Sequence, residues 1–317
     1  MSVLIERLRQ LDPLGSWRKD DDCTAFVLSG GGNMGALQVG MLQALVEHGI
    51  QPDLVLGCSV GALNGVAVAS DPTLAMVHRL RELWRDIEDK KVLPSGLFPT
   101  TVQLARRGVS VHGNAGLRAV IDSLLEPRTF DELVVPFQCV ATAIEDAREV
   151  WFDHGPLVEA IMASAALPAV LPPVEIDGVR YMDGAVVNDV PVTRARELGA
   201  TRIYVLSVGS VDRPRPEPRR PIDMALMAYW IARRHRFARD LAALPADVEV
   251  VIMPTGEAPF LRFHDLEHSV ELIDIAYEAS YAALELRAGR EPPKRADRPI
   301  QALVRAAEQK RDKQAPR

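Results

Sequence analysis

The 317-residue chain has few cysteines and no long apolar run, and both absences exclude classes of protein. Its three cysteines, Cys23, Cys58 and Cys139, lie far apart and form no C-x-x-C pair. This spacing argues against a disulfide framework or a zinc site and fits a reducing cytoplasm. The N-terminal residues lack the apolar core of a signal peptide. The longest apolar stretch, at 221–232, is too short to span a bilayer and contains Asp223. We therefore expect a cytoplasmic protein, with peripheral membrane contact left open.

The chain also lacks an excess of positive charge. Its formal net charge is -6, so composition gives no reason to expect nucleic-acid binding. Residues 287–317 differ from the rest, because they carry ten basic and four acidic side chains. We expect the basic tail at 291–317 to be disordered and solvated, with contact to an anionic membrane or partner as the alternative. The sequence gives no indication of the oligomeric state.

Predicted strands and helices alternate along most of the sequence. Buried strands are predicted at 24–28 and 53–57, each followed by a helix, and the alternation continues to a long helix near 265–287. This order predicts an α/β fold of three layers, α/β/α, with a mainly parallel central sheet. The expected divisions are an N-terminal arm at 1–22, one domain at 23–290 with a Pro/Arg-rich loop at 210–221, and the tail.

A glycine-rich loop follows the first predicted strand and precedes a helix. Its backbone amides could approach a negative charge at the helix N-terminus; they belong to Gly30, Gly31, Gly32, Asn33 and Gly35. The spacing also matches the G-x-G-x-x-G of dinucleotide-binding folds. Those folds need an acidic residue at the end of the second strand to hold the ribose, and that residue is missing here. The loop therefore fits a transient oxyanion better than a nucleotide phosphate.

The second predicted strand ends in a G-x-S-x-G pentapeptide, Gly57 to Gly61, which opens the next helix. This is the context of a nucleophile elbow, in which flanking glycines permit a tight turn that exposes the serine hydroxyl. Parallel strands end at the same edge of a sheet, so the glycine loop and Ser59 are expected to lie close together. Ser59 is the candidate nucleophile.

A candidate base lies at the end of a later predicted strand, where Asp183 precedes Gly184 in a turn. Four ordered motifs, GGGNMG, GCSVG, ASAALP and DGA followed by NDVP, together resemble the patatin-like phospholipase family of lipid acyl hydrolases. The resemblance covers roughly residues 24–210, and it is specific because all four motifs occur in the family's order.

The resemblance implies a catalytic dyad in a domain of the family's fold. Ser59 would attack an ester carbonyl, and Asp183 would accept its proton and later activate water. Gly57 and Gly61 would form the elbow, Gly184 would support the aspartate turn, and the loop amides would form the oxyanion hole. The implied substrate is a lipid or other carboxylic ester, and no cofactor or metal is implied.

One residue departs from the family's pattern. Met34 stands where the family commonly has arginine or lysine. The loop amides remain, but a positive charge beside them is lost. We expect Met34 to pack beneath the helix, with a weakened or differently tuned enzyme as the alternative.

Two further interpretations stay open from the sequence. A Ser-His-Asp hydrolase could use His264 or His268, which follow Ser59 and Asp183 in the order of α/β-hydrolases. A non-catalytic lipid-binding or regulatory protein could share the scaffold. The predicted helix at 222–243 has an apolar first half and a basic second half. It could line or cover an acyl groove, or pack as an ordinary helix with one basic, exposed face.

Overall fold

The computed structural model describes residues 22–88, 114–209, 217–218, 221–259 and 266–291. Most of the predicted N-terminal arm, the Pro/Arg-rich loop and the basic tail therefore lie outside the described residues. His264, one of the two candidate triad histidines, lies outside them as well.

Eight strands form one sheet in the described part of the chain. They are β1 (Thr24–Leu28), β2 (Leu54–Cys58), β3 (Phe137–Ala143), β4 (Arg148–Phe152), β5 (Val174–Ile176), β6 (Val179–Asp183), β7 (Arg202–Leu206) and β8 (Glu249–Ile252). The spatial order is β5-β6-β3-β2-β1-β7-β8, and β4 pairs with β3.

The centre of the sheet is parallel. Neighbours from β3 through β2, β1 and β7 to β8 all run in the same direction, with Leu28 opposite both Gly57 and Leu206. The strands β4, β5 and β6 are antiparallel to their partners. The predicted mainly parallel sheet is confirmed, and β8 shows that the C-terminal part of the chain joins it.

Eight α-helices are described. They are α1 (Ala36–Glu47), α2 (Val60–Ser70), α3 (Leu74–Glu88), α4 (Ala115–Leu124), α5 (Leu157–Ser164), α6 (Val192–Glu197), α7 (Pro221–Ala242) and α8 (Ser269–Arg287). None of these helices is both long enough and apolar enough to cross a membrane. The last helix starts at Ser269, so its predicted start near residue 265 was wrong. The Val270 amide in its first turn donates to Glu88 Oε2 at 2.9 Å.

Helices cover both faces of the sheet, as expected for three layers. Along β1, Phe26 and Leu28 pack into a large core with α1 to α5 and α8, whereas Ala25 and Val27 pack into a smaller core with α6 and α7. This alternation follows from the two-residue repeat of a strand that is buried on both sides. The central strands are therefore fixed from both faces, and the loops at their carboxyl ends are supported by a rigid base.

Helix α1 packs closely against α8. A Cβ atom built on Gly40 would lie 2.2 Å from the carbonyl oxygen of Ile273 and 2.7 Å from the backbone nitrogen of Tyr277. No side chain fits at this position, so Gly40 sets the distance between the two helices. The tight packing holds α1, which begins at the end of the glycine loop.

Candidate active site

The loop between β2 and α2 holds Ser59 in a strained conformation. Its φ of 55° and ψ of -123° lie outside the ordinary regions for a residue with a side chain. The flanking glycines make the turn possible. A Cβ on Gly57 would lie 2.5 Å from the Gly61 carbonyl oxygen, and one on Gly61 would lie 2.4 Å from that of Leu28. The turn thus has the geometry of a nucleophile elbow at the N-terminus of α2.

Asp183 ends β6 and lies directly beside Ser59. The Ser59 hydroxyl donates to Asp183 Oδ2 at 2.6 Å, while the Ala185 amide donates to Oδ1 at 2.8 Å. The predicted support from Gly184 has a steric basis, because a Cβ there would lie 2.2 Å from the Val140 carbonyl oxygen. The two candidate residues are therefore in direct contact, and one carboxylate oxygen accepts the serine hydroxyl.

Burial dominates the electrostatics of Asp183, which is only 1% exposed. Burial raises the pKa of Asp183 from 3.8 to about 6, against the opposing effect of the hydrogen bonds from Ser59 and Ala185. A carboxylate with this pKa is a stronger base than one in water, yet it is still ionised at neutral pH. The pair is thus suited to transfer a proton from the serine.

The segment Ala163–Pro168, which the sequence analysis matched to the family, contacts both members of the pair. The Ser59 amide donates to Ser164 Oγ at 3.0 Å, and the Asp183 amide donates to the Ala166 carbonyl oxygen at 3.0 Å. Ser164 is fully buried at the end of α5. Sequence reasoning singled out the segment by resemblance, but it did not predict these two contacts.

The glycine loop lies next to the elbow. A Cβ on Gly30 would come within 3.2 Å of the Ser59 Cβ. Beyond Gly30 the chain forms a single 3₁₀ turn, Gly32–Gly35, which leads into α1. The amides of Gly31 and Gly32 have no acceptor among the described residues. Two free backbone donors at a helix start beside a serine could stabilise an oxyanion.

The amide of Gly30 differs from these two, because it already has an acceptor. It donates to Asp189 Oδ1 at 3.0 Å. The same carboxylate oxygen contacts the guanidinium of Arg233, which reaches it from α7. Asp189 belongs to the NDVP motif, but neither its contact with the glycine loop nor the role of Arg233 was predicted from the sequence.

A buried polar network lies on the other side of the loop. Gln38 donates to the carbonyl oxygens of Ser29 and Leu206 at 2.7 and 3.0 Å, and it accepts from Asn64 at 2.9 Å. Asn64 also accepts the indole N–H of Trp84 at 3.2 Å. Both amide side chains are fully buried. The only signal for them in the sequence is a polar residue within a mainly apolar stretch of each helix.

Met34 is partly buried and packs against the large core, in agreement with the expectation that it lies beneath the helix. Nearby positive charge comes from α7 instead. Arg233 and Arg236 of this helix face the body of the protein, while Arg234 and Arg239 are exposed. The prediction of one basic, exposed face is therefore wrong for two of the arginines, because partly or fully buried carboxylates and a carbonyl oxygen bind them.

Two of the described histidines contact glutamates away from the elbow. His268 contacts Glu271 at 3.1 Å at the exposed start of α8, and His48 contacts Glu285 at 2.8 Å. The acceptor of the Ser59 hydroxyl is Asp183. Within the described ranges, no group of three histidine, cysteine, aspartate or glutamate side chains is arranged to hold a metal ion.

The fold and the elbow together define a class of α/β protein in which a serine and an aspartate meet at the carboxyl edge of a mainly parallel sheet. The family model for patatin-like phospholipase matches residues 26–196, which contain both residues. The chain belongs to the patatin-like phospholipase family.

Individual relatives match over the same part of the chain. It is 30% identical over 190 residues to patatin-like phospholipase domain-containing protein 7 of Rattus norvegicus, covering 59% of this chain and 14% of the relative. It is 27% identical over 245 residues to lysophospholipase NTE1 of Lodderomyces elongisporus, covering 71% and 16%. The chain thus spans less than a fifth of the length of these two relatives. The crystal structure of VipD from Legionella pneumophila superposes with a TM-score of 0.44 at 14% identity, covering 84% of this chain and 67% of VipD.

Proposed function

We propose that this protein is a serine hydrolase that cleaves carboxylic esters of lipids through a Ser59-Asp183 dyad. The observation that carries the proposal is the 2.6 Å hydrogen bond from the Ser59 hydroxyl to Asp183 at a strained elbow. A serine in this position is both exposed to a substrate by the turn and paired with a base. Membership of the patatin-like phospholipase family supports the same reaction class.

In the first half of the reaction, Asp183 accepts the hydroxyl proton as Ser59 Oγ attacks the ester carbonyl carbon. Negative charge develops on the carbonyl oxygen, and the free amides of Gly31 and Gly32 would stabilise it. Asn33 and Gly35 complete the turn that carries these amides. The carbon–oxygen bond to the alcohol then breaks. The alcohol leaves with the proton that Asp183 held, and an acyl-enzyme remains.

In the second half, Asp183 accepts a proton from water as the water oxygen attacks the acyl-enzyme. The intermediate collapses, the proton returns to Ser59 Oγ, and a fatty acid is released. Each proton is thus taken up and returned by the same carboxylate, and the reaction needs no metal or redox group. The pKa of Asp183, about 6, fits both steps.

The substrate class follows from the family and its relatives. We infer a phospholipid, lysophospholipid or acylglycerol, because one of the relatives is named as a lysophospholipase. Peripheral contact with a lipid surface belongs to the same proposal. A non-catalytic lipid-binding protein is the competing function, and a Ser-His-Asp triad through His264 or His268 is the competing mechanism.

The test is labelling by a fluorophosphonate, with the modified residue identified by mass spectrometry. Wild type is compared with Ser59→Ala, Asp183→Asn and the His264→Ala/His268→Ala double variant. Ser70→Ala serves as a control, because its hydroxyl bonds only to the Ala67 carbonyl oxygen of its own helix. We expect an adduct on Ser59 in wild type, in the control and in the histidine variant, and a rate at least about 100-fold lower in Asp183→Asn.

Release of fatty acid from phosphatidylcholine vesicles, lysophosphatidylcholine micelles or diacylglycerol in mixed micelles then identifies the substrate. Loss of labelling in the histidine variant would replace the dyad by a triad. A folded wild type that takes no label with vesicles present, and that releases no fatty acid, would favour the binding protein.

A further inference from the structure

Helix α7 brings a largely buried charge pair to the glycine loop. The guanidinium of Arg233 contacts Asp189 Oδ1, and the side chains are only 20% and 13% exposed. That oxygen also accepts the amide hydrogen of Gly30 at 3.0 Å. Gly30 is in turn so close to Ser59 that a Cβ on it would lie 3.2 Å from the Ser59 Cβ. One carboxylate oxygen thus joins α7 to the loop beside the nucleophile.

The position of Arg233 is fixed by its neighbours on α7. Its guanidinium carbon lies 5.1 Å from the centre of the Tyr229 ring, a cation–π contact on the same helix. One turn further on, Arg236 donates to the Val187 carbonyl oxygen at 2.9 Å and pairs with Asp240 and Glu149. Two arginines therefore dock α7 on the segment that runs from Asp183 to Asp189.

The charge pair also lies close to the candidate base, because Tyr229, over which Arg233 stacks, packs against the cluster of Cys58 and Ala185, and both of these contact Asp183. The charged and titratable groups around Asp183 are Ser59 and Cys58 from the elbow, Asp189 beyond Ala185, and Arg233 and Tyr229 from α7. Arg233 is the one fully charged cation in this set of described groups.

We propose that Asp189 and Arg233 are positioning residues of the active site: Asp189 anchors the glycine loop through the Gly30 amide, and Arg233 supplies a positive charge close to Asp183. The proposal rests on the proposed function, since it assigns roles within the same site. It goes further by placing α7, which lies outside the residues matched by the family model, in the machinery that tunes the reaction.

The two charges act on Asp183 in opposite directions. The positive charge of Arg233 lowers the pKa of Asp183, and the negative charge of Asp189 raises it, while burial remains the largest effect. Removal of either charge should therefore move the pH at which Asp183 becomes ionised, and the two removals should move it in opposite senses. A purely structural salt bridge would not produce this pattern.

The experiment measures the second-order rate constant for fluorophosphonate labelling of the full chain between pH 4.5 and 9. In Arg233→Met, the acid limb of the profile should shift to higher pH by about half a unit or more. In Asp189→Asn it should shift to lower pH, and the double variant should return close to wild type. Arg233→Lys, which keeps the charge, should show little shift. Arg234→Met is the matched control, since the neighbouring Arg234 is exposed on the same helix.

A second comparison separates charge from anchoring. Asn at position 189 keeps an oxygen that can accept from Gly30, whereas Asp189→Ala removes the acceptor. We expect the plateau rate constant to fall about tenfold or more in Asp189→Ala and to fall less in Asp189→Asn. Circular dichroism and thermal unfolding identify variants that do not fold. If Arg233→Met does not fold, the shift in Asp189→Asn alone decides the question.

The outcomes distinguish this proposal from the proposed function. If wild type is labelled at Ser59 with an acid limb, while the limb is unmoved in Arg233→Met and Asp189→Asn, the positioning roles are overturned and the hydrolase stands. Shifts in the same direction would overturn them as well. If wild type takes no label and hydrolyses no ester, both proposals fall together.

Discussion

Asn64, in the helix that begins at the candidate nucleophile, donates to the carbonyl oxygen of Gly35 at 3.0 Å. Gly35 is the last residue of the 3₁₀ turn that follows the glycine loop. The helix that presents Ser59 therefore also holds the end of the loop that would bind the oxyanion. The candidate nucleophile and the proposed oxyanion donors are thus linked by one side chain that is fully buried.

We predict that Asn64→Ala destabilises the fold and slows the reaction. The change leaves Gly35, Gln38 and the Trp84 indole without their partner, and each buried unsatisfied group costs about 1–3 kcal/mol. Urea denaturation should show a loss of about 2–4 kcal/mol, after partial relaxation of the site. Fluorophosphonate labelling of Ser59 should slow under conditions in which the variant is still folded. Trp84→Phe is the milder comparison, since it removes only one of these bonds. An equal labelling rate in wild type and Asn64→Ala would contradict the role of Asn64 in placing the loop.

The rate of ester cleavage should rise with pH through about 6. Asp183 can accept a proton only as a carboxylate, and burial raises its pKa to about 6. At pH 5, kcat/KM should be about one tenth of its value at pH 8, because about one tenth of the groups are ionised. The measurement is a pH profile on a neutral ester whose product signal does not depend on pH. A profile that stays flat down to pH 4.5 would mean that Asp183 is not the base.

The stability of the wild-type fold should fall over the pH range in which activity rises, whereas the stability of Asp183→Asn should not. The pKa of Asp183 is higher in the folded protein, about 6, than its ordinary 3.8, so ionisation at higher pH weakens the wild-type fold. The rise corresponds to about 3 kcal/mol. Asparagine lacks this penalty. Relative to wild type, the variant should gain up to about 3 kcal/mol at pH 8, and this gain should vanish near pH 4.

Denaturant unfolding of both proteins at several pH values checks this prediction. At each pH, the free energy of unfolding of wild type is subtracted from that of the variant. The change in this difference from pH 4 to pH 8 is the quantity to compare, because altered hydrogen bonds of the new asparagine to Ser59 and Ala185 add the same amount at every pH. A difference that does not change with pH would show that burial does not raise the pKa of Asp183.

Gly40→Ala should separate α1 from α8. The new Cβ would lie 2.2 Å from the backbone oxygen of Ile273, and backbone atoms cannot move aside as a side chain can. We expect a loss of about 2 kcal/mol or more in the free energy of unfolding, typical of overpacking in a core. Gly65→Ala is the control on α2, where the nearest atoms belong to the side chains of Val55 and Phe137 at 3.1 and 3.3 Å. Equal losses in the two variants would contradict the proposed close contact.

Much of the fold follows from local patterns in the sequence. The buried runs at β1 and β2, each ending in glycine-rich turns, predicted both strands to within one residue. Small residues after Ser59 predicted α2. The Asp177-Gly178 pair is typical of a hairpin turn, and both residues have positive φ between β5 and β6. These features depend on steric limits of a few neighbouring residues, so one sequence is enough to reveal them.

The contacts around the site were less visible in the sequence. Arg233 and Asp189 lie 44 positions apart in the chain, and a basic helix gives no sign of which arginines face a buried carboxylate. Gln38 and Asn64 are ordinary polar residues until the packing of α1 against α2 brings them together. Such pairings depend on which helix faces cover the sheet, and hydrophobic periodicity does not specify that detail for helices buried on nearly all sides.

The segment Ala163–Pro168 bonds to the backbone of Ser59 through Ser164 and to that of Asp183 through Ala166. Because one short stretch bonds to both residues, a small displacement of that stretch should move the candidate nucleophile and the candidate base together. The distance between Ser59 Oγ and Asp183 Oδ2 should therefore change little when the sheet as a whole bends. A surface that pushes on one side of the protein could change access to Ser59 while the proton-transfer distance stays the same.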